Sequence, residues 1–267
     1  MKPERIVSLC PSNTEILFAI GAGESVVGVD SYSDYPPEVT NLPRVGPDLR
    51  VSIEKIKALE PDLVVASLTV PGMERNIEGL KEAKLPFLVF GPISIEETLQ
   101  DILALGKITE TVANAQRLVD EIKNTIDSIK SQAEKARYIP KLYWEWWPKP
   151  LIAACRHSWV TDMSEIVGGF NVFSYIEKTS SIVEDSDIIR QDPDILLICW
   201  CGERMQEKMS EDEIIGRPGW EKINGIRENK VHCVPEPLFG RPGPRIMNGL
   251  KMLSKIVHPE IFGRLEC

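Results

Sequence analysis

The chain has 267 residues, of which 43% are hydrophobic and 27% charged, and its 31 Lys and Arg against 40 Asp and Glu leave a formal net charge of −9. That length accommodates one large domain or two ordinary ones. The acidic balance disfavours nucleic acid, whose phosphates call for clustered Lys and Arg, and argues against a strongly anionic ligand.

Strand and helix signals alternate through the first third. Residues 5–9 read as a short buried strand. Ser12 then opens a helix, with Glu15 three residues later completing a capping box, Ile16, Leu17 and Ile20 forming the apolar face and Gly21 ending it. Residues 26–30 are the next strand. A second helix opens at Ser52-Ile53-Glu54-Lys55 and closes before Pro61, and residues 62–66 and 87–90 are buried-strand runs. The alternation predicts a mainly parallel sheet.

Residues 107–137 contain no proline or glycine. Ile108, Val112, Ala115, Leu118, Val119, Ile122, Ile126, Ile129 and Ala133 recur there at steps of three and four, which predicts one long amphipathic helix. Beyond it the opening pattern returns. Thr14-Glu15-Ile16 before Gly21 is echoed by Ser164-Glu165-Ile166 before Gly168-Gly169. Glu60-Pro61-Asp62-Leu63-Val64-Val65 is echoed by Asp192-Pro193-Asp194-Ile195-Leu196-Leu197. The expected fold is therefore α/β: two similar lobes with mainly parallel sheets joined by one long helix. Residues 1–106 form the first lobe, 107–137 the linking helix and 138–267 the second lobe.

Enzyme signatures are missing: the chain has no dinucleotide glycine fingerprint, phosphate loop or Gly-x-Ser-x-Gly. The cysteines (Cys10, Cys155, Cys199, Cys201, Cys233 and Cys267) have no zinc spacing, and most of them read as buried free thiols suited to a reducing compartment. Two of the three histidines, His232 and His258, read as structural. Aromatics concentrate between Tyr143 and Trp159. Strand alternation sets Trp144 and Trp146 on one face and Tyr143 and Glu145 on the other, while Trp147 and Trp159 lie in loop-like sequence. Such density suggests a platform for a large flat ligand, although Trp144 and Trp146 also suit a core. Phe239-Gly240-Arg241-Pro242-Gly243-Pro244-Arg245 forms a rigid loop after the strand at 230–234, where α/β folds bind ligands. Its arginines suit ligand amides or carboxylates, or a carboxylate of their own lobe. Cys155 and His157, two residues apart beside the aromatics, suit a cobalt or iron centre.

These residues resemble a family. Arg5-Ile6-Val7-Ser8-Leu9-Cys10-Pro11-Ser12-Asn13-Thr14-Glu15 looks like the opening motif of ABC-importer substrate-binding proteins for vitamin B12, haem and iron siderophores. Val27-Gly28-Val29-Asp30-Ser31-Tyr32-Ser33-Asp34-Tyr35-Pro36 resembles the B12 branch. Glu54 before Pro61-Asp62-Leu63-Val64, Gly168-Gly169 before Asn171-Val172-Phe173, and Arg241-Pro242-Gly243-Pro244-Arg245 continue the likeness. The resemblance implies a non-enzymatic binding protein with a cobalamin-like ligand in a cleft between two lobes and no required cofactor. It implies Pro11 in the first ligand loop, Tyr32 against the corrin, and Glu145, Trp146 and Trp159 in a motif of B12-like relatives. Trp147, Phe239 and Arg241 join them as ligand-binding candidates. A ferric-siderophore or haem binder on the same fold, or a cytosolic enzyme or chaperone for metal tetrapyrroles, is the alternative.

The resemblance also implies one permease-docking glutamate per lobe. Glu54 matches the first; the second position falls on Ser186, between Asp185 and Asp187, so the expectation is a binder that does not feed an importer. No apolar run is long enough to span a bilayer, and no apolar signal core precedes the first strand. As written the chain is expected to be cytoplasmic, and extracytoplasmic if it is a trimmed mature form.

Overall fold

The computed structural model describes residues 2–202 and 207–265. It divides into two units: residues 1–92 with 96–122, and residues 93–95 with 123–267.

In the first unit, short runs of β-branched and apolar residues alternate with helices: β1 Ile6–Ser8, α1 Pro11–Ala19, β2 Val26–Val29, α2 Ile53–Ala58, β3 Leu63–Ser67, α3 Glu74–Glu82 and β4 Phe87–Phe90. All neighbours in the sheet β2-β1-β3-β4 are parallel. A parallel sheet covered on its faces needs apolar residues at successive positions, and all five residues of β3 are buried. Two helix starts show what sequence signals do and do not fix. Ser52 caps α2 as expected, accepting from Lys55 N at 3.3 Å. The capping box at Ser12 does not form. Pro11 already occupies the first helical turn, Cys10 is the cap, and Ser12 and Glu15 lie buried inside the helix.

The long helix expected over 107–137 is present with narrower bounds. Two helices, α4 Ile95–Ile108 and α5 Val112–Ala133, meet at a turn where Glu110 takes φ 57. Thr109 Oγ1 donates to Leu105 O at 2.7 Å and Thr111 N to Gly106 O at 2.8 Å, which closes α4. Gly106 permits the reversal, since a Cβ there would lie 2.3 Å from the Ala115 Cβ. The apolar spacing runs through this turn without a break, so periodicity alone misses it. The inward stripe of α5 is as expected: Ala115, Leu118, Val119, Ile122, Ile126, Ile129 and Ala133 are all buried.

The second unit contains β5 Lys141–Pro148, β6 Leu151–Ala154, α6 Trp159–Ile166, β7 Phe170–Asn171, β8 Ser180–Ile182, α7 Asp185–Gln191, β9 Ile195–Ile198, α8 Glu211–Ile215, α9 Asn224–Arg227, β10 Val231–Cys233, α10 Glu236–Phe239, α11 Ile246–Val257 and α12 Pro259–Phe262. Its sheet contains the parallel series β7-β5-β9-β10, the counterpart of β2-β1-β3-β4, with an antiparallel pair, β6 and β8, added beyond β5.

The correspondence extends to individual atoms. Glu60 and Asp192, at φ 47 and 48, end their helices just before the Pro-Asp pair. Asp62 accepts from Glu4 N and Arg5 N at 2.7 and 3.0 Å at the start of β1, and Asp194 accepts from Lys141 N at 2.8 Å at the start of β5. The basic side chain of that same leading residue reaches back to the helix end: Arg5 Nη2 to Leu59 O at 2.6 Å, Lys141 Nζ to Gln191 O at 2.7 Å. Gly21 and Gly168, at φ 82 and 77, close α1 and α6 with the same pair of backbone bonds. The second unit is thus the first one's pattern with a strand pair inserted between β5 and α6 and beyond.

Candidate functional site: a tryptophan edge and its loops

β5 runs longer than its counterpart β1, and the extension carries the aromatics. Alternation along it places Trp144 and Trp146 on one face, their rings 6.5 Å apart. Trp144 is fully buried, donating its indole N–H to Ser164 Oγ at 2.9 Å and packing 5.4 Å from Phe239. Trp146 is half-buried and lies 6.1 Å from Trp159, also half-buried. Trp159 is not in a loop: it begins α6, and its indole N–H donates to Phe239 O at 2.6 Å, tying α6 to the loop after β10. Trp147 likewise belongs to β5, with its N–H on Lys149 O at 3.1 Å. Trp146 and Trp159 therefore form a fixed, partly open aromatic edge, and Trp144 with Phe239 is the packing beneath it.

Three of the ligand-binding candidates are held by partners of their own unit. Phe239 is fully buried and has no open face. Glu145 is fully buried too, and both its oxygens are taken. Arg217 forks onto them at 2.6 and 2.7 Å, Tyr143 Oη donates to Oε2 and Trp200 Nε1 to Oε1, each at 2.9 Å. Burial, then the Glu145 carboxylate, holds the Tyr143 phenol well above its ordinary range. Arg241 is only 8% exposed and pairs with Glu236 of its own loop at 3.0 Å.

The metal expectation for Cys155 and His157 is not supported by their geometry. Cys155 is buried and donates to Ala153 O, and burial pushes its thiol up to about 11, away from the thiolate a metal requires. His157 Nε2 sits 2.9 Å from Glu177. Among the described residues no group of three His, Cys, Asp or Glu is arranged to hold a metal.

In the first unit the candidate loops follow β1 and β2. Pro11 is buried at the start of α1. Tyr32 is 43% exposed on a turn built by Asp30, which accepts from Tyr32 N at 2.7 Å and from the Ser33 hydroxyl. Arg44 donates to Asp30 O and Ser33 O beneath it, and Thr14 Oγ1 lies 2.8 Å from Ser33 Oγ. Burial raises the Asp30 carboxyl while Ser33 and the Tyr32 amide pull it down. Tyr32 is thus presented outward by a buried polar network. Glu54 is exposed in the first turn of α2, where the helix dipole favours its charge. Ser186 is exposed in α7. Its neighbours are engaged: Asp185 accepts the Trp220 indole N–H at 2.6 Å, and Asp187 closes a capping box with Glu184 and pairs with Arg190 at 2.7 Å.

Sequence reasoning missed Asp30, Arg217 and Glu236. Asp30 stands within the Tyr32 motif and could have been found as the first residue of an Asx turn. Arg217 lies 72 residues from Glu145 and carries no local signal. A surface groove of about 1430 Å³ sits at the amino ends of β5, β9 and β10, lined by Lys135, Arg137, Lys230 and Lys255 among others, at the far end of this sheet from the tryptophans.

Comparison with known proteins agrees with this architecture. Residues 6–238 match the family described as periplasmic binding protein. The chain is 30% identical over 270 residues to an uncharacterized ABC transporter substrate-binding lipoprotein of Bacillus subtilis, covering 98% of this chain and 82% of that one. It is 27% identical to a vitamin B12-binding protein of Vibrio parahaemolyticus, covering 92% and 86%. A crystal structure described as a possible iron-binding periplasmic solute-binding protein from Staphylococcus epidermidis superposes with a TM-score of 0.82 at 30% identity, over 97% and 100% of the chains. The chain belongs to the periplasmic binding protein family, among relatives that include substrate-binding proteins of ABC transporters.

Proposed function

We propose that this protein binds a corrinoid as the substrate-binding component of an ABC importer. The observation that carries the reading is the half-buried Trp146–Trp159 pair, 6.1 Å apart, fastened to the loop after β10 through Phe239 O. A corrin offers wide apolar faces and a rim of amides. Aromatic side chains of about 150–250 Å² each suit the faces, and exposed loop groups suit the rim. The first unit carries an exposed aromatic of its own, Tyr32. The B12-binding relative supports the ligand class, and the lipoprotein relative supports action outside the cytoplasm.

The test is the visible spectrum of the protein after incubation with cyanocobalamin and gel filtration. The corrin absorption should co-elute, with a calorimetric affinity in the micromolar range or tighter, about −8 kcal/mol or better. The iron-binding neighbour keeps a ferric complex as the second reading. Calorimetry with no heat for cobalamin but saturable binding of a ferric siderophore would decide for it.

A further inference from the structure

The loop after β10 carries Arg241, whose guanidinium would be expected to attract anionic ligands to the tryptophan edge. Its Nε instead donates to both oxygens of Glu236, at 3.2 and 3.0 Å, and its Nη2 lies 3.0 Å from Oε2. Glu236 begins α10, and Phe239 between the two accepts the Trp159 indole N–H, so the segment that carries the pair is tied to the tryptophan edge. The backbone makes room for it. A Cβ on Gly240 would lie 2.8 Å from Glu236 Cγ and 3.1 Å from its carbonyl oxygen, so a side chain there would have to push the Glu236 side chain aside. As a unit, the pair is neutral.

We propose that Glu236 is a specificity determinant: by neutralising Arg241 it makes the tryptophan edge select an uncharged, amide-rimmed ligand over carboxylate-bearing iron complexes. The inference deepens the corrinoid reading and rests on it for the location of the ligand. A ligand carboxylate at this edge would find its counter-ion already engaged and a like charge alongside, a repulsive element that leaves amides unaffected. At a partly desolvated surface that difference is amplified.

The experiment is titration of the full chain, followed by tryptophan fluorescence, with cyanocobalamin and with ferric citrate. Glu236→Gln keeps the shape and removes the charge. It should raise the ratio of ferric citrate to cobalamin affinity at least tenfold. Gly240→Ala, which displaces Glu236 sterically, should shift the ratio in the same direction, and it decides the matter if Glu236→Gln does not fold. Glu236→Gln combined with Arg241→Gln, which removes both charges, should show no such gain. An unchanged ratio in a folded Glu236→Gln protein, or a gain in the double variant, would overturn the proposal. If the unmodified protein binds no cobalamin and Glu236→Gln still gains at least tenfold for ferric citrate, the corrinoid reading falls while the charge filter stands.

Discussion

Trp144, Trp146 and Trp159 differ in what surrounds them, and so in what their removal does. Trp144 is fully buried with its N–H satisfied by Ser164. Truncating it leaves a cavity, while the Ser164 hydroxyl keeps its bond to Val160 O at 2.7 Å, so Trp144→Ala should cost about 3–5 kcal/mol of stability in chemical denaturation. Trp146 and Trp159 are half-open. Alanine there should leave the melting transition cooperative and weaken cobalamin binding by roughly 1–3 kcal/mol in calorimetry. A reversed pattern, with folding lost at Trp159 and affinity lost at Trp144, would place the ligand elsewhere. Asp101 on α4 makes a pH-dependent case. Burial, and secondarily Glu97, raise its carboxyl from 3.8 to about 7. The folded chain therefore holds this proton longer than the unfolded chain. The group costs nothing below the unfolded value, and its penalty grows as pH rises towards 7 and is complete above it. Asp101→Asn should match the parent protein near pH 4 and melt higher at pH 8. The gain is on the order of 1 kcal/mol, because solvent screens a half-exposed group.

At the scale of elements, legibility followed locality. The first unit's strands were readable because each is a short apolar run, whereas β7 and β8 of the second unit carry no such run: Phe87–Phe90 falls where its composition placed it, and α2 begins at the cap its serine announced. The turn between α4 and α5 was not readable, because it rests on a positive φ at Glu110 and on the close approach of Gly106 to Ala115, neither of which alters the apolar spacing. The ligand candidates divided in the same way. Tyr32 and the tryptophans were visible as aromatics, whereas the commitment of Glu145 to Arg217, 72 residues away, was set only by folding. That pair pins the segment after α8 to the end of β5, with Arg217 also stacked 4.5 Å over Trp220. Arg217→Ala should cost about 3–5 kcal/mol by leaving a buried carboxylate uncompensated, and adding Glu145→Gln should recover much of that loss. A double variant no more stable than the single one in urea melts would show that packing on Trp220, not charge, is what matters there.

For the whole molecule, the internal repeat raises the question of where the two halves have diverged. Their scaffolds agree down to the Pro-Asp clamp, but the surface positions that the family resemblance assigns to permease docking do not. Glu54 stands exposed on α2, stabilised by the helix dipole and hydrogen-bonded by Ser52 at 3.2 Å. Its second-unit counterpart is Ser186, and the flanking Asp185 and Asp187 hold Trp220 and Arg190. One relative is an ABC transporter substrate-binding lipoprotein, and the expectation that this protein does not feed an importer rests on that asymmetry. It predicts docking that depends on one unit. In reconstituted uptake with the organism's own corrinoid permease, Glu54→Ala should abolish transport while leaving cobalamin affinity unchanged, because Ser186 carries no charge and Asp185 and Asp187 beside it are engaged. Ser186→Glu should strengthen docking, since it restores a long carboxylate in the first turn of α7 without disturbing the Glu184–Asp187 cap. Transport that survives Glu54→Ala and is indifferent to Ser186→Glu would mean that the permease grips this protein through other residues.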